Sequence, residues 1–463
     1  MKSSIVWDLT GSLSRQVITF TTSLVLARIL EPSEFGIIGI ALVFIALSDV
    51  IMDAGFTETI LQKKRLSQSV YSSIFLVNII VSLLFSSLIY FISGYVASFY
   101  KIVDLDNVLK LLAILLPIGA LGKVQNALLA KDMMFKKIAS INVTASLLSG
   151  TIGVVLAFKG LGVFSLVYQQ ITFVSVSSFL LWILNSWRPR FEFSYSGLKE
   201  LVPFSFYVFS DKFTHQLFLK LDTLFIGKVF SPTELGFYSR AQSLNSQLST
   251  FTSTSFNKVL FSHLNQLKNS GQDIIVPYMR AYKGLLIIIS CVSGFLYFLS
   301  TDLIILLYGV KWEFAGQLFK ILVLKTLITP LAVLQGNFLL TLGHAKLKFK
   351  LTVIHRFLLL IPIAIGMRFS IVTFTWLLIS SILLAFILNT IVISRKSSIS
   401  FGTQIRSALI INIPLIILGI VDGLQFIDLN GKVFGLIFIL SQTLFILRFQ
   451  KASVGFIRML LKI

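Results

Sequence analysis

Long apolar runs recur along the entire chain, broken by short polar connections. Fourteen segments stand out, at approximately 5–28, 36–60, 72–99, 108–130, 138–158, 161–184, 201–227, 236–261, 283–309, 316–342, 350–367, 369–394, 407–427 and 431–448. Several approach the roughly 20 residues that a helix needs to span a hydrocarbon core, and others reach it with their polar flanks. The first is peppered with Ser, Thr, Gln and Arg and lacks a small-residue cleavage site, so it reads as a first transmembrane helix and not as a removed signal peptide. The eleventh and the last two are the least distinct. The pattern predicts an all-α polytopic membrane protein with about 14 transmembrane helices, twelve being the alternative count.

Composition agrees: of 463 residues, 56% are hydrophobic and only 13% charged, whereas a soluble chain of this length would carry far more surface charge. A net charge of +21 would suit nucleic acid if it lined one soluble face. Here the basic residues sit in short clusters between apolar runs, the pattern of the positive-inside rule. Alternate connections and ends hold 23 Lys and Arg against seven in the opposite set. That bias predicts both termini in the cytoplasm and argues against a nucleic-acid partner; the chain is read as an inner-membrane protein. Trp187 and Trp312 fall at predicted membrane boundaries, where an indole is favoured.

No connection is long enough for a folded soluble domain, the longest being 185–200 and 262–282. There is no GxxxxGK[ST] phosphate loop, the lone Cys291 excludes an intrachain disulfide, and the four histidines form no metal spacing. Nucleotide hydrolysis by this chain is therefore not expected, nor are catalytic residues, a metal or a cofactor.

A duplication gives the organisation. Residues 26–41, LARILEPSEFGIIGIA, align at an offset of 200 with 226–241, IGKVFSPTELGFYSRA, sharing Pro32/Pro232, Glu34/Glu234, Gly36/Gly236 and Ala41/Ala241. Ser14-Arg15-Gln16 pairs with Thr214-His215-Gln216. At an offset of 210, LGKVQNALLA (121–130) matches LAVLQGNFLL (331–340), with Gln125 facing Gln335 and Lys136 facing Lys346. Each repeat spans six helices, so both copies enter the membrane in the same orientation, the parallel-repeat arrangement of transporters. This predicts an N-terminal lobe at 1–187, a second lobe at 188–398 and two extra helices at 399–463. In the shared P-[ST]-E-x-G turn, Pro is expected to end one helix, Ser or Thr to cap the next, and Glu to sit in its first turn, where the helix dipole favours an anion.

Ionisable residues near the bilayer centre cost about 2.5–3.5 kcal/mol each on insertion scales, so they need a partner or a wet cavity. The candidates for a substrate cavity are Arg15, Lys123, His215, Lys325 and Arg356, with Asp49, Asp53 and Arg240 as secondary intramembrane charges. The bland alternatives are snorkelling to a helix end for Arg240, Lys220, Asp222 and Lys258, and a helix-end hydrogen bond for Asp53, which precedes Gly55. Arg15, about ten residues into the first helix, resists such an account. The cationic balance suits a phosphorylated or otherwise anionic substrate, to which Arg offers bidentate contacts and Lys a point charge.

DAGFTETILQKKRLS (53–67) with the following YSSIFLVNII, NALLAKDMMFKKIASINVTASLLSG (126–150), LDTLFIGKVFSPTELGFYSRAQSL (221–244) and VLFSHLNQLKN (259–269) resemble the Wzx-type polysaccharide flippases. The likeness is to the colanic-acid-exporter-like branch of the multidrug/oligosaccharidyl-lipid/polysaccharide exporter superfamily, and it covers most of residues 1–390. It implies two six-helix lobes in a V that open alternately to either side. The implied cargo is an oligosaccharide repeat unit on undecaprenyl pyrophosphate, flipped for O-antigen, capsule or exopolysaccharide synthesis. The implied partners are this lipid-linked oligosaccharide, membrane lipids, and polysaccharide polymerase or assembly proteins. A drug/cation antiporter of the same superfamily and a lipid II flippase are the alternatives; the former would favour acidic cavity residues. His215 stands where other members often differ.

Overall fold

The computed structural model describes residues 2–366, 368–423 and 431–449, with side chains described outside 2–5, 8–9, 249–259, 423 and 445–449. Among these the chain is α-helical without strands, and its contacts define two compact units, Met1–Gly236 and Phe237–Ile463. It is an all-α polytopic membrane protein. Nine helices or helix runs are long and apolar enough to cross a membrane among the described residues. A tenth is added if the pair Phe401–Ile411 and Ile413–Asp422, bent by 54°, is one span. The end of the thirteenth segment falls outside the described residues, as do Lys451, Arg458 and Lys462 of the basic C-terminal end.

The first unit runs α1 (Lys2–Ile29), α2 (Pro32–Asp53), α3 (Phe56–Gln62), α4 (Gln68–Tyr100), α5 (Asp104–Ala113), α6 (Leu115–Lys131), α7 (Phe135–Phe158), α8 (Val163–Leu184) and α9 (Tyr195–Val229) into the start of α10 (Pro232–Asn269). The second continues α10 through α11 (Ile275–Phe298), α12 (Ser300–Tyr308), α13 (Glu313–Leu322), α14 (Leu324–Thr341), α15 (Ala345–Leu358), α16 (Ile371–Lys396), α17 (Phe401–Ile411), α18 (Ile413–Gly423) and α19 (Gly431–Phe449). Although 28, 35 and 38 residues long, α1, α9 and α10 are too polar to be among the apolar spans. A helix of that length and polarity needs other helices or water along part of its surface.

In lipid, apolar burial adds little, so close helix approach depends on small residues. Along α1 and α7, Gly11 lies against Ala139 and Gly150 against Thr22. In the second unit, Tyr278 stacks on Phe338 at 3.9 Å between centroids, and Phe298 on Phe434 at 5.6 Å, which seats α19 on α11.

Backbone geometry repeats what the sequence duplicates. The break between α5 and α6 falls at Ile114 (φ −62°, ψ −22°), and that between α13 and α14 at Val323 (φ −62°, ψ −24°). The turn into α7 runs through Met133 (φ 57°) and Met134 (φ −80°, ψ 49°). The turn into α15 runs through Gly343 (φ 93°) and His344 (φ −93°, ψ 49°). Each short helix before a break is held by one lysine: Lys110 bonds Asp106 at 2.8 Å and faces the Tyr90 ring, while Lys320 bonds Asp422 of α18 at 2.6 Å and faces the Tyr297 ring.

The P-[ST]-E-x-G turn differs from the expected one in two respects, the role of Pro and the position of the cap. Pro32 and Pro232 open the new helices, α2 and α10, at their first position, where the missing N–H costs nothing. The cap position therefore falls one residue earlier than Pro, at Glu31 and Ser231, and not at Ser33 or Thr233. Glu34 Oε2 accepts the Glu31 N–H at 2.7 Å, and Glu234 Oε2 accepts the Ser231 N–H at 3.1 Å. These carboxylates close a capping box at the positive end of the dipole.

Candidate functional site

The polar interior of the first unit is built where α2 breaks. Ala54 (φ 46°) and Gly55 (φ 77°) both take left-handed backbone, so the chain turns from α2 into α3 over two residues. A Cβ at Gly55 would strike the Ser205 carbonyl of α9, so glycine sets how closely α9 can lie. Beside this turn Thr59 and Ser205 hydroxyls share a 2.7 Å hydrogen bond.

Asp53, 4% exposed, accepts a short hydrogen bond from Thr57 Oγ1 and an ion pair from Lys212 Nζ of α9 at 3.3 Å. The same ammonium lies 2.5 Å from Glu58 of α3. Asp53 thus sits in a three-member charge cluster with Lys212 and Glu58. Lys212 and Glu58 were not among the residues singled out from sequence. A buried carboxylate at a helix break was a signal that a cation must meet it, but nothing in the sequence said which.

One helix turn back from the break, Asp49 of α2 and Lys123 of α6 form an ion pair at 2.8 Å, with side chains 45% and 25% exposed. The lysine's charge is thereby balanced within the protein. Arg15 differs. Its side chain is exposed, it has no acidic partner among the described residues, and its guanidinium stands 5.0 Å from the ring centroid of Phe173 on α8. His215 is exposed on α9, without a hydrogen bond or ion pair among the described residues. None of these joins Arg15 in a direct contact.

In the second unit Arg240, Lys325 and Arg356 are half-buried on α10, α14 and α15. Next to Lys325, Thr326 donates to Asn245 Oδ1 at 2.8 Å, with both residues buried. The duplicated glutamines are both fully buried. The main-chain carbonyl of Gln125 accepts Asn185 Nδ2 at 2.9 Å, and Gln335 Nε2 donates to Thr390 Oγ1 at 2.8 Å. Only in the second copy does the glutamine side chain itself tie two helices, while the Gln125 amide is buried without a hydrogen bond among the described residues. Of the snorkelling candidates, Asp222 accepts its neighbour's Thr223 N–H at 2.7 Å, and the Lys258 side chain lies outside the described ones. No cluster of His, Cys, Asp and Glu could hold a metal ion among the described residues.

Known proteins resemble the chain in sequence and fold. It is 24% identical over 328 residues to the succinoglycan biosynthesis transport protein ExoT of Rhizobium meliloti, covering 71% of this chain and 66% of that one. It is 24% identical over 308 residues to the teichuronic acid biosynthesis protein TuaB of Bacillus subtilis, covering 65% and 63%. The chain thus spans just under two thirds of the length of these two relatives. With the lipopolysaccharide biosynthesis protein WzxC of Escherichia coli it shares 24% over 344 residues, 74% of this chain and 70% of that one. Among solved structures, the lipid II flippase MurJ superposes with a TM-score of 0.73 at 16% identity over 97% of this chain and 100% of its own. A MATE multidrug resistance transporter gives 0.60 at 15% identity over 83% and 98%. At these identities the structural likeness shows a shared fold. The family model described as polysaccharide biosynthesis protein matches residues 25–317, well over half of the chain, and the protein belongs to that family.

Proposed function

We propose that the protein is a flippase that carries oligosaccharide repeat units, linked to undecaprenyl pyrophosphate, from the cytoplasmic to the outer leaflet by alternating access. It would serve O-antigen, capsule or exopolysaccharide synthesis in the bacterial inner membrane, with both termini cytoplasmic. The moving parts are the repeats 1–187 and 188–398, with 399–463 appended. A polysaccharide polymerase would consume the product.

The observation that carries this reading is Arg15, a permanent cation well inside α1, exposed, uncompensated by any described acid and set over the Phe173 ring. A guanidinium can stack one face on an aromatic ring while its edge grips a phosphate with two parallel hydrogen bonds. Arg15 is thus available to the pyrophosphate, whereas Lys123 is engaged by Asp49 and can release its charge only when that pair opens. His215, Lys325 and Arg356 are the further candidate cations for this cargo. The relatives named for succinoglycan transport and for teichuronic acid and lipopolysaccharide biosynthesis support an anionic, sugar-bearing cargo.

The test is deletion of the gene followed by complementation. Deletion should abolish a surface polysaccharide and leave growth intact. Arg15→Ala, present in the membrane at normal level, should fail to restore export, with Arg15→Lys restoring part. Wild-type export by Arg15→Ala would overturn the role of Arg15. Loss of viability on deletion would point to lipid II as cargo, and loss of drug resistance alone to a drug antiporter.

A further inference from the structure

The connection from α8 to α9 does not behave as a loose loop. Residues 185–194 run extended across the start of α4 and are fastened to it at intervals. Trp187 Nε1 donates to Gln68 Oε1 at 2.7 Å, and Gln68 Nε2 donates to the Arg188 carbonyl at 2.7 Å. The Arg190 N–H donates to Ser72 Oγ at 2.9 Å, and the Ser194 N–H to Ser73 Oγ at 2.7 Å; both serines are fully buried. The Arg188 guanidinium folds back onto the carbonyls of Trp182, Asn185 and Trp187, capping the end of α8.

With the backbone pinned at 190 and 194, the side chains of residues 190–193 and 195 all face outward, Arg190 and Glu192 pairing at 3.9 Å. Phe191 is fully exposed, Phe193 59% and Tyr195 70% exposed. Exposed side chains continue onto the outer face of α9 as Lys199, Val202 and Phe206, spaced four, three and four residues apart as on one helix face. The opposite face of the same turns buries Leu198 and Leu201 in the core beneath. Such a row of outward aromatics on a rigid strap, beyond the end of an apolar span, is a surface built for contact.

Charge identifies the contact. Lys63 bonds Glu200 at 3.0 Å, which draws the basic connection Lys63-Lys64-Arg65 alongside the strap. Lys64, Arg65 and Lys199 are exposed and have no acidic partner among the described residues. They lie at the end of the bundle where the connections are rich in Lys and Arg. Aromatic rings settle at headgroup level, and clustered basic residues beside a span attract anionic lipid. We infer that the strap 187–195, with Lys64, Arg65 and Lys199, is a docking surface for anionic phospholipid headgroups. Phe191, Phe193 and Tyr195 enter the interface while the three cations hold the phosphates around them.

The test uses the full-length protein with Cys291→Ser, carrying a nitroxide at Phe191→Cys, in nanodiscs of phosphatidylethanolamine alone or with one quarter phosphatidylglycerol. Collision with oxygen against a water-soluble nickel complex reads the depth of the label. Native mass spectrometry counts retained phosphatidylglycerol. The label should lie at headgroup depth, move deeper and become less mobile with phosphatidylglycerol, and lose that response in Lys64→Gln/Arg65→Gln/Lys199→Gln, which should also retain severalfold less anionic lipid. A label that stays in water in both membranes would overturn the inference in favour of a protein occupant. An unchanged depth and lipid count in the triple variant would overturn it as well.

Discussion

Gly36 on α2 stands directly against the main-chain carbonyl of Pro232, and the relation is reciprocal, for Gly236 on α10 stands against the carbonyl of Pro32. The two copies of one sequence motif thus cross at their own helix starts, each glycine admitting the other's backbone. Because the obstacle is backbone and not a movable side chain, a single methyl must push the helices apart. Gly36→Ala and Gly236→Ala should each destabilise by about 2–3 kcal/mol, the upper part of the range for overpacking. Gly39→Ala on the same helix, with open space at its Cβ, should be neutral or slightly stabilising. Thermal unfolding of the purified variants checks all three.

The cluster around Asp53 makes a second prediction. Removing Lys212 leaves a carboxylate with a 6% exposed side chain facing Glu58 without its cation. Lys212→Met should cost roughly 2–3 kcal/mol, below the usual range for a broken buried pair because the lysine is 36% exposed. Adding Asp53→Asn should recover part of that loss, since only Glu58, whose side chain is 37% exposed, is then left without its cation. A double-variant thermal melt no higher than the Lys212→Met melt would refute this pairing.

Much of this was legible in the chain and some could not be. The Pro-Ser/Thr-Glu-x-Gly turns announced themselves because caps, prolines and glycines act locally, within three or four residues. Lys212 and Asp53 are 159 positions apart, and their meeting depends on how α9 packs on α2, which no local pattern encodes. The same holds for Lys320 and Asp422, joined across 102 positions. The breaks at Ile114 and Val323 have no glycine or proline at the break itself, so hydrophobic periodicity ran through them. For the candidate cavity, sequence could single out cations within the predicted helices. It could not tell that Lys123 is balanced by Asp49 while Arg15 is left to a ring.

The duplicated turns before α7 and α15 yield a third prediction. Met133 holds φ at 57° where the second copy uses Gly343 at 93°, and a side chain in the left-handed region costs about 1–2 kcal/mol. Met133→Gly should therefore raise stability by up to about 1 kcal/mol, the relief being offset partly by glycine's larger unfolded-state entropy. Gly343→Met should lower it by a comparable or larger amount. Opposite shifts in thermal midpoint are the expected result; two shifts of the same sign would contradict the equivalence of the turns.

Asp273 gives a pH-dependent prediction in the connection before α11. Its carboxylate accepts the N–H groups of Ile275 at 2.9 Å and Val276 at 3.1 Å. Those hydrogen bonds, the Ile275 one first, hold its pKa below the ordinary carboxylate value. A group depressed in the folded state binds fewer protons there than when unfolded. Its stabilisation is therefore complete above the unfolded value of about 4 and is lost as pH falls through the folded one. At neutral pH, Asp273→Ala should speed amide exchange at Ile275 and Val276 relative to wild type. The difference, after correction for intrinsic exchange chemistry, should shrink as pH drops below about 4, when the wild-type carboxyl itself becomes protonated. A gap between the two proteins that stayed constant down to pH 2 would show that the charged carboxylate does not hold the start of α11.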